Sequence, residues 1–502
     1  MNSVRIDSGN KMKVADWWEP RFALMKRPSA IAIAVIVAFI LGAMIRLVVF
    51  SRHLPLWSDE AWTGAIVGQP TLRATIEQSL MDPNAPSYFI LMHFWTKWFG
   101  LSDSALRFPS LIFGVFAPLI AMLPSKGIER DVRLLWCGIV ALWIPGFWYS
   151  QEARCYSLAF LLAMACTHAY VRLLAQPSVR NAVGWASLGC LMILTEYHSL
   201  FLIGCQGIGY LALHRKRAIR RWPAVLLYLP AVAWMWAHMP RVLQYADANA
   251  YIHPIVRFDN VLGILGFVVG NWVLAVLLLI VALVLGVLSG PIKDAPSNAW
   301  LAAATATVSA ILLIAIGSLN AIFTTRYLMV FIPGISLGIS LLAAHFGQRW
   351  KLVPVGIIIL YGIFAWNWKI ESNQTDEKLI LSFEQASREL EKNGIDQLVF
   401  LLDSPLTNVL QPSQLEALGG FFFRRQGLTI PITPIFLRPD DNPNERLLDA
   451  AATTPRSAIL WLYVPSARNT AILSYPVRIE QINRAWFCSD FGTPGVVACH
   501  RR

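Results

Sequence analysis

Apolar runs about as long as a bilayer is thick recur along this chain, and nothing else in it restricts the fold so strongly. Crossing the hydrocarbon core takes roughly 20 residues. Runs of that kind lie near 31–50, 106–123, 134–149, 155–175, 183–197, 199–213, 223–239, 272–290, 299–318, 327–346 and 352–368. Inside lipid every backbone N–H and C=O must find a partner within the protein, so these runs are expected as helices, about eleven in all. Composition agrees. The 502 residues are 56% hydrophobic and 14% charged, where soluble domains carry roughly 25% charged residues. Mean hydropathy is +0.52. The expected fold is a polytopic α-helical membrane protein with a small C-terminal α/β soluble domain.

The formal net charge is +12, but its distribution argues against a nucleic-acid surface. The cations cluster in "KMKVADWWEPRFALMKR", "SKGIERDVR" and "HRKRAIRR", short stretches between apolar runs. That is the positive-inside pattern, a signal of topology. The first run follows a basic N-terminus with no small-residue cleavage site behind it, so it reads as an uncleaved span. Odd-numbered spans then run outward. The loops at 124–133, 176–182, 214–222, 291–298 and 347–351 fall inside. The segments at 51–105, 149–154, 240–258 and 319–326 fall outside, with the tail. The stretch 259–272 reads as an interfacial helix or part of a long span.

Two regions stand apart from the spans. The first outer loop, 51–105, is too long for a connector, and long loops are usually functional. Its stretches "TLRATIEQSLM" and "SYFILMHFWTKWFG" have helical apolar spacing and predict helices lying on the membrane surface. Composition changes again at Glu371. From there "SFEQASRELEKNG", "SQLEALGGFFFRRQG" and "NERLLDAAATT" read as helices. They alternate with strands in "IDQLVFLL", "LTIPITPIFL" and "SAILWLYV". Such alternation predicts an α/β domain with a mainly parallel sheet. The chain thus divides into a membrane domain, 1–369, and a soluble domain, 370–502. Cys137, Cys155, Cys166, Cys190 and Cys205 lie in or beside apolar runs and read as core. Cys488 and Cys499 share the tail, and in an oxidising compartment they are expected to pair.

The chemistry concentrates at the outer ends of the spans. Asp59 and Glu60 stand side by side in "LWSDEAW", between Trp57 and Trp62. The same loop holds Asp82, Asn84 and Tyr88. Arg107 starts the second span. "WYSQEARCY" contributes Gln151, Glu152, Arg154 and Tyr156, "TEYHS" contributes Glu196, Tyr197 and His198, and "FTTRYL" contributes Arg326 and Tyr327. Taken singly, each has a bland explanation: a solvated loop carboxylate, an arginine reaching lipid phosphate, an interfacial aromatic anchor. Together in one layer they point to a shared, partly wet cavity, because ionisable groups at that depth are costly. Arginine forks hold phosphate bidentately and stay charged. A sugar carried on a polyprenyl phosphate places its anomeric carbon just outside the bilayer. Its leaving phosphate needs charge stabilisation and no proton, while an attacking hydroxyl needs one base. One carboxylate and several arginines match that requirement.

Several stretches resemble the C-type membrane glycosyltransferases, in particular the protein mannosyltransferases that use dolichyl-phosphate mannose and the bacterial lipid A aminoarabinose transferases. "WSDEAW" resembles the family's Asp-Glu motif after the first span. "DPNAPSYFILMHFWTKWFG" resembles its "HPPLYY" segment, "ALRFPSLIFG" and "YSQEARCYSL" the matching stretches of bacterial members, and "TTRYLMVFIPG" its Arg-Tyr-Leu-x-x-x-x-Pro near the last spans. The likeness covers roughly 30–350. It implies Asp59 as general base and Glu60 beside it, positioning the acceptor or a cation. It also implies Arg107, Arg154 and Arg326 at the donor phosphate. Substrate contacts are expected from Asp82, Asn84, Tyr88, Gln151, Glu152, Tyr156, Tyr197, His198 and Tyr327. The chain departs from the family where Asn84-Ala85-Pro86 replaces His-Pro-Pro. Asn84 carries neither proton nor charge, so His198 or His93 is the available imidazole.

Lipid, a polyprenyl-phosphate sugar donor and a lipid, glycan or protein acceptor are the expected partners, with no nucleic acid. No cofactor is required by the motifs, although paired carboxylates are able to hold Mg²⁺ or Mn²⁺. The bacterial style of the motifs implies an inner-membrane enzyme whose site and tail face the periplasm. A transporter or flippase competes, but transporters favour helices broken mid-membrane with charges at the midplane. A polysaccharide polymerase or ligase using lipid-linked sugars is a second alternative. A glycosidase needs carboxylates facing each other across the bond, which neighbours in sequence do not do.

Overall fold

The structure, a computed structural model, describes residues 29–52, 56, 58–219, 222–247, 260–289, 297–319, 323–375, 383–403, 411–435, 443–463, 483–491 and 496–501. The basic N-terminal stretch, Trp57, and most of the loops at 240–258 and 291–298 lie outside the described residues.

Among the described residues, seventeen α-helices build the first part. Helix α1 (Ala30–Phe50) is followed by α2 (Ser58–Val67), α3 (Leu72–Ser79) and α4 (Ser87–Phe99), which make up most of the expected outer loop. Then come α5 (Asp103–Phe116), α6 (Arg130–Ala141), α7 (Pro145–Tyr149), α8 (Tyr156–Ala175), α9 (Val179–Ile193) and α10 (Ser199–His214). After the short α11 (Lys216–Ile219) follow α12 (Leu229–Asp247), α13 (Val261–Val269), α14 (Trp272–Ser289), α15 (Ser297–Leu319), α16 (Ile332–Arg349) and α17 (Val353–Thr375). Several helix starts are capped by a side chain. Ser29, Thr71, Ser102 and Ser178 each accept a backbone N–H in the first turn, which satisfies one of the free donors at a helix N-terminus.

Among the described residues four helical segments are long and apolar enough to cross a membrane: Ala30–Phe50, Asp103–Met122, Tyr156–Ala175 and Asn298–Leu319. The pair α13 and α14, bent by 81°, adds a fifth if counted as one span. Among the described residues this test finds fewer than eleven, because several apolar runs fold as shorter helices, such as Val179–Ile193 and Ser199–His214, and others are divided. The run at 134–149 breaks before Pro145, and that at 223–239 begins as a 3-10 turn, Trp222–Tyr228. Lipid-facing positions stay apolar: Ile33, Val37, Ile40 and Leu47 of α1 are all exposed. Helix α8 is central, packed against α5, α9, α15 and α16. Indole groups tie neighbours together. Trp136 Nε1 donates to Pro333 O at 2.9 Å, joining α6 to α16, and Trp185 Nε1 donates to Gln206 Oε1 at 2.7 Å, joining α9 to α10.

The tail folds as expected through its first three strands. Helix α18 (Phe383–Lys392) leads to β1 (Gln397–Asp403), α19 (Pro412–Arg425), β2 (Ile432–Ile435), α20 (Pro443–Ala451) and β3 (Ser457–Tyr463). These strands are parallel. The sequence reading missed β4 (Trp486–Asp490) and β5 (Val496–Arg501), which add an antiparallel pair and give the order β2-β1-β3-β5-β4. Leu398, Val399, Phe400 and Leu401 of β1 are all buried, which is why that strand reads as an unbroken apolar run. Cys488 and Cys499 are cross-strand partners and form a disulfide. The domain rests on the outer-loop helices. Gln414 Nε2 donates to Met81 O at 3.0 Å, Arg425 pairs with Asp103 at 2.7 Å, and the Phe421 ring lies against α2 at Gly64.

Candidate active site at the outer helix ends

Asp59 and Glu60 occupy the first turn of α2, where the helix dipole favours negative charge. Consecutive residues on a helix diverge by about 100°, and these two carboxylates go to different neighbours. Glu60 is fully buried. Arg107 of α5 grips both its oxygens, with Nε donating to Oε1 at 2.7 Å and Nη2 to Oε2, and the Ala153 N–H donates to Oε1 at 2.7 Å. Arg107, expected at a donor phosphate, and Glu60, expected at an acceptor or cation, are therefore given to each other. They form the wall of the site.

Asp59 faces the cavity. Its carboxylate is about a third exposed and lies 3.5 Å from Arg326 Nη1 and 3.9 Å from Arg154 Nη2. The arginines arrive from distant parts of the chain. Arg154 sits in the break between α7 and α8, after Pro145 has started α7 and before α8 begins at Tyr156. Its Nη1 donates to Asp59 O at 3.3 Å and to Thr63 Oγ1 at 3.4 Å, and its Nε is buried without a partner. Arg326 sits on the 3-10 turn Thr325–Val330 ahead of α16, its Nε likewise buried and unpartnered. The Tyr156 ring lies 5.9 Å from the Arg154 guanidinium and 5.7 Å from that of Arg326, close enough for cation–π attraction. Two guanidiniums with donors to spare, held by one carboxylate and an aromatic ring, form a site able to take an oxyanion.

A second row borders this cluster. Tyr327 follows Arg326, and the His198 ring stacks on it at 3.8 Å. His198 Nδ1 and Glu196 Oε1 are 2.6 Å apart. Tyr197 OH accepts from Trp234 Nε1 at 2.8 Å and meets His238 Nδ1 at 2.5 Å. Asp82 Oδ1 accepts from the N–H and Nδ2 of Asn84, at 2.9 and 2.6 Å, which shapes the turn before α4. Ser87 joins that turn to the end of α9 through Leu194 O. Gln151 is half-buried near Arg154, and Tyr88 is fully buried in the core. His93 is bound at Nδ1 by Thr75 Oγ1 at 2.9 Å, joining α3 to α4, so of the two imidazoles His198 is the one beside the cluster.

Glu152 accepts a hydrogen bond from Trp148 Nε1, while its other oxygen is buried without a partner. Burial, with the Glu60 charge next in importance, raises its pKa to about 8. Burial thus favours its protonated form. Arg46 was not anticipated from the sequence. It is buried near the C-terminal end of α1, donating to Ser150 Oγ at 3.1 Å, Gly42 O at 3.1 Å and Ala141 O at 2.8 Å, with Phe147 under its guanidinium. It fixes the segment that carries Glu152 and Arg154. An arginine within an apolar run is not told apart by local pattern from one that snorkels to lipid phosphate.

Glu60 is engaged by Arg107 and a backbone N–H, Asp59 faces two guanidiniums, and among the described residues no group of three His, Cys, Asp or Glu is disposed to hold a metal.

No family model and no curated protein matches the sequence. Solved structures do match the fold. ArnT from Cupriavidus metallidurans in the apo state aligns over 93% of this chain and 97% of its own, with a TM-score of 0.57 and 12% identity. The same protein bound to undecaprenyl phosphate aligns over the same shares, with a TM-score of 0.55 and 10% identity. The chain has the fold of ArnT over most of its length.

Proposed function

We propose that this chain moves a sugar from a polyprenyl-phosphate carrier to a hydroxyl acceptor at the outer face of the membrane. The observation that carries this reading is Asp59 set between Arg154 and Arg326 at the outer helix ends. The undecaprenyl phosphate in one ArnT structure supports it. In the reaction, Asp59 takes the proton of the acceptor hydroxyl. The hydroxyl oxygen bonds to the anomeric carbon as the bond from that carbon to the phosphate oxygen breaks. Arg154 and Arg326 hold the departing phosphate, whose charge grows as the bond breaks. Tyr156 orients both guanidiniums, and His198 and Tyr327 border the space left for sugar or acceptor. The Cys488–Cys499 disulfide favours an oxidising compartment for the tail. With the basic loops on the other side, that supports an inner-membrane protein whose site and tail face the periplasm.

The test is a transfer assay on purified protein with a panel of radiolabelled polyprenyl-phosphate sugars and membrane extract, comparing wild type with Asp59→Asn. Loss of a general base typically costs 10²–10⁴-fold, so the variant is expected to fall by at least about 100-fold while melting like wild type. Equal transfer by the variant would remove Asp59 from the role. No transfer across the panel, with labelled lipid crossing protein-containing vesicles, would replace the reading with transport.

A further inference from the structure

The opposite end of the membrane part holds a second cluster that the proposed reaction does not use. A cleft of about 360 Å³ opens where the loop before α6 meets the end of α8, and its lining includes Lys126, Arg133 and Arg172 with Ser125 and Gln176. Helix α8 spans 20 residues, from Tyr156 in the first cluster to Ala175 in this one. At 1.5 Å per residue that is about 30 Å, a bilayer's hydrocarbon thickness. The two clusters thus lie at opposite faces.

No carboxylate lines the cleft. Glu129 and Asp131 are near in sequence but exposed. Arg133 is fixed by the chain itself, its Nη1 donating to Met122 O at 3.0 Å and Leu123 O at 3.1 Å, while its Nε is buried without a partner. Leu123 O also meets His168 Nε2 at 3.1 Å, which holds this corner against α8. Converging cations repel one another unless an anion joins them. A hydroxyl and a carboxamide beside them complete the donor set that phosphate oxygens take. The loops concerned, 124–133 and 176–182, belong to the side that the positive-inside pattern assigns to the cytoplasm. Basic pockets between helices on that side suit anionic headgroups.

We infer that this cleft binds a phosphate group, supplied by the headgroup of an anionic phospholipid in the inner leaflet. The site is independent of the sugar-transfer reading. It is tested with the full-length protein in neutral detergent, titrated with phosphatidylglycerol, phosphatidylcholine or inorganic phosphate and followed by melting temperature and by lipid retained in native mass spectra. The comparison is with Lys126→Gln/Arg172→Gln, which leaves the carbonyl-bound Arg133 in place. Wild type is expected to bind phosphatidylglycerol saturably and in preference to phosphatidylcholine. The double variant should bind it about 25-fold more weakly, roughly fivefold per cation. Saturation by inorganic phosphate at similar concentration, lost in the variant, would support the same site with free phosphate as its source. Equal binding of every probe by wild type and variant would overturn the inference. If the double variant melts early without lipid, the exposed Lys126→Gln alone serves, with a fivefold loss expected.

Discussion

At the scale of single residues, the two neighbouring carboxylates differ in what their removal should do. Glu60→Gln leaves Arg107 buried opposite a neutral amide. Breaking a buried pair costs about 3–5 kcal/mol, so the variant should melt well below wild type in detergent. The double variant Glu60→Gln/Arg107→Gln should recover much of that loss; a single variant that melts like wild type would refute the structural role. Glu152 gives a pH dependence. Its folded pKa of about 8 lies above the ordinary carboxyl value, so between about 4.5 and 8 the folded state holds a proton that the unfolded state has lost. Stability therefore falls as pH rises through that window, by on the order of a few kcal/mol. Glu152→Gln should flatten the fall, read from melting temperatures between pH 5 and 9. The sequence displayed Asp59, Arg154 and Arg326 as candidates because polar residues are conspicuous at span ends. It did not display the pairing of Glu60 with Arg107, 47 positions apart, because an arginine near a helix start looks the same whether it faces lipid phosphate or a buried carboxylate.

At the scale of elements, the contact between α2 and α19 joins the site helix to the tail. A Cβ on Gly64 would come within 2.2 Å of Phe421 Cζ, far inside van der Waals contact. Gly64→Val should push α19 from α2 and expose the tail to limited proteolysis, and adding Phe421→Ala should restore protection. An unchanged digestion pattern would mean the domains are held elsewhere. Helices α3 and α4 of this outer region were legible from their 3.6-residue apolar spacing, whereas α2, which carries Asp59 and Glu60, was not. Strands β4 and β5 were not, since "WFCSD" and "VVACHR" are short, mix polar with apolar residues, and gain their burial only by pairing with each other and with β3. The apolar runs were legible as helices, but the break at 142–155 was not read as the feature that presents Arg154.

At the scale of the whole molecule, the periplasmic placement proposed for the tail makes a direct prediction. Alkylation of the unreduced, denatured protein should label the five remaining cysteines and spare Cys488 and Cys499. Two further labels without reductant would contradict an oxidised tail. The apolar spans were legible from hydropathy, whereas the meeting of Arg154 and Arg326 around Asp59 depends on packing that no local pattern encodes. That meeting has a consequence for the proposed turnover. With donor bound, one carboxylate and one phosphodiester face two guanidiniums, and the cluster is electroneutral. After transfer, Asp59 is protonated and the spent carrier is a dianion, and the cluster is electroneutral again. The proton and the negative charge change places inside a fixed frame. No counter-ion has to enter or leave during the chemical step, and the charge imbalance appears only when the carrier departs.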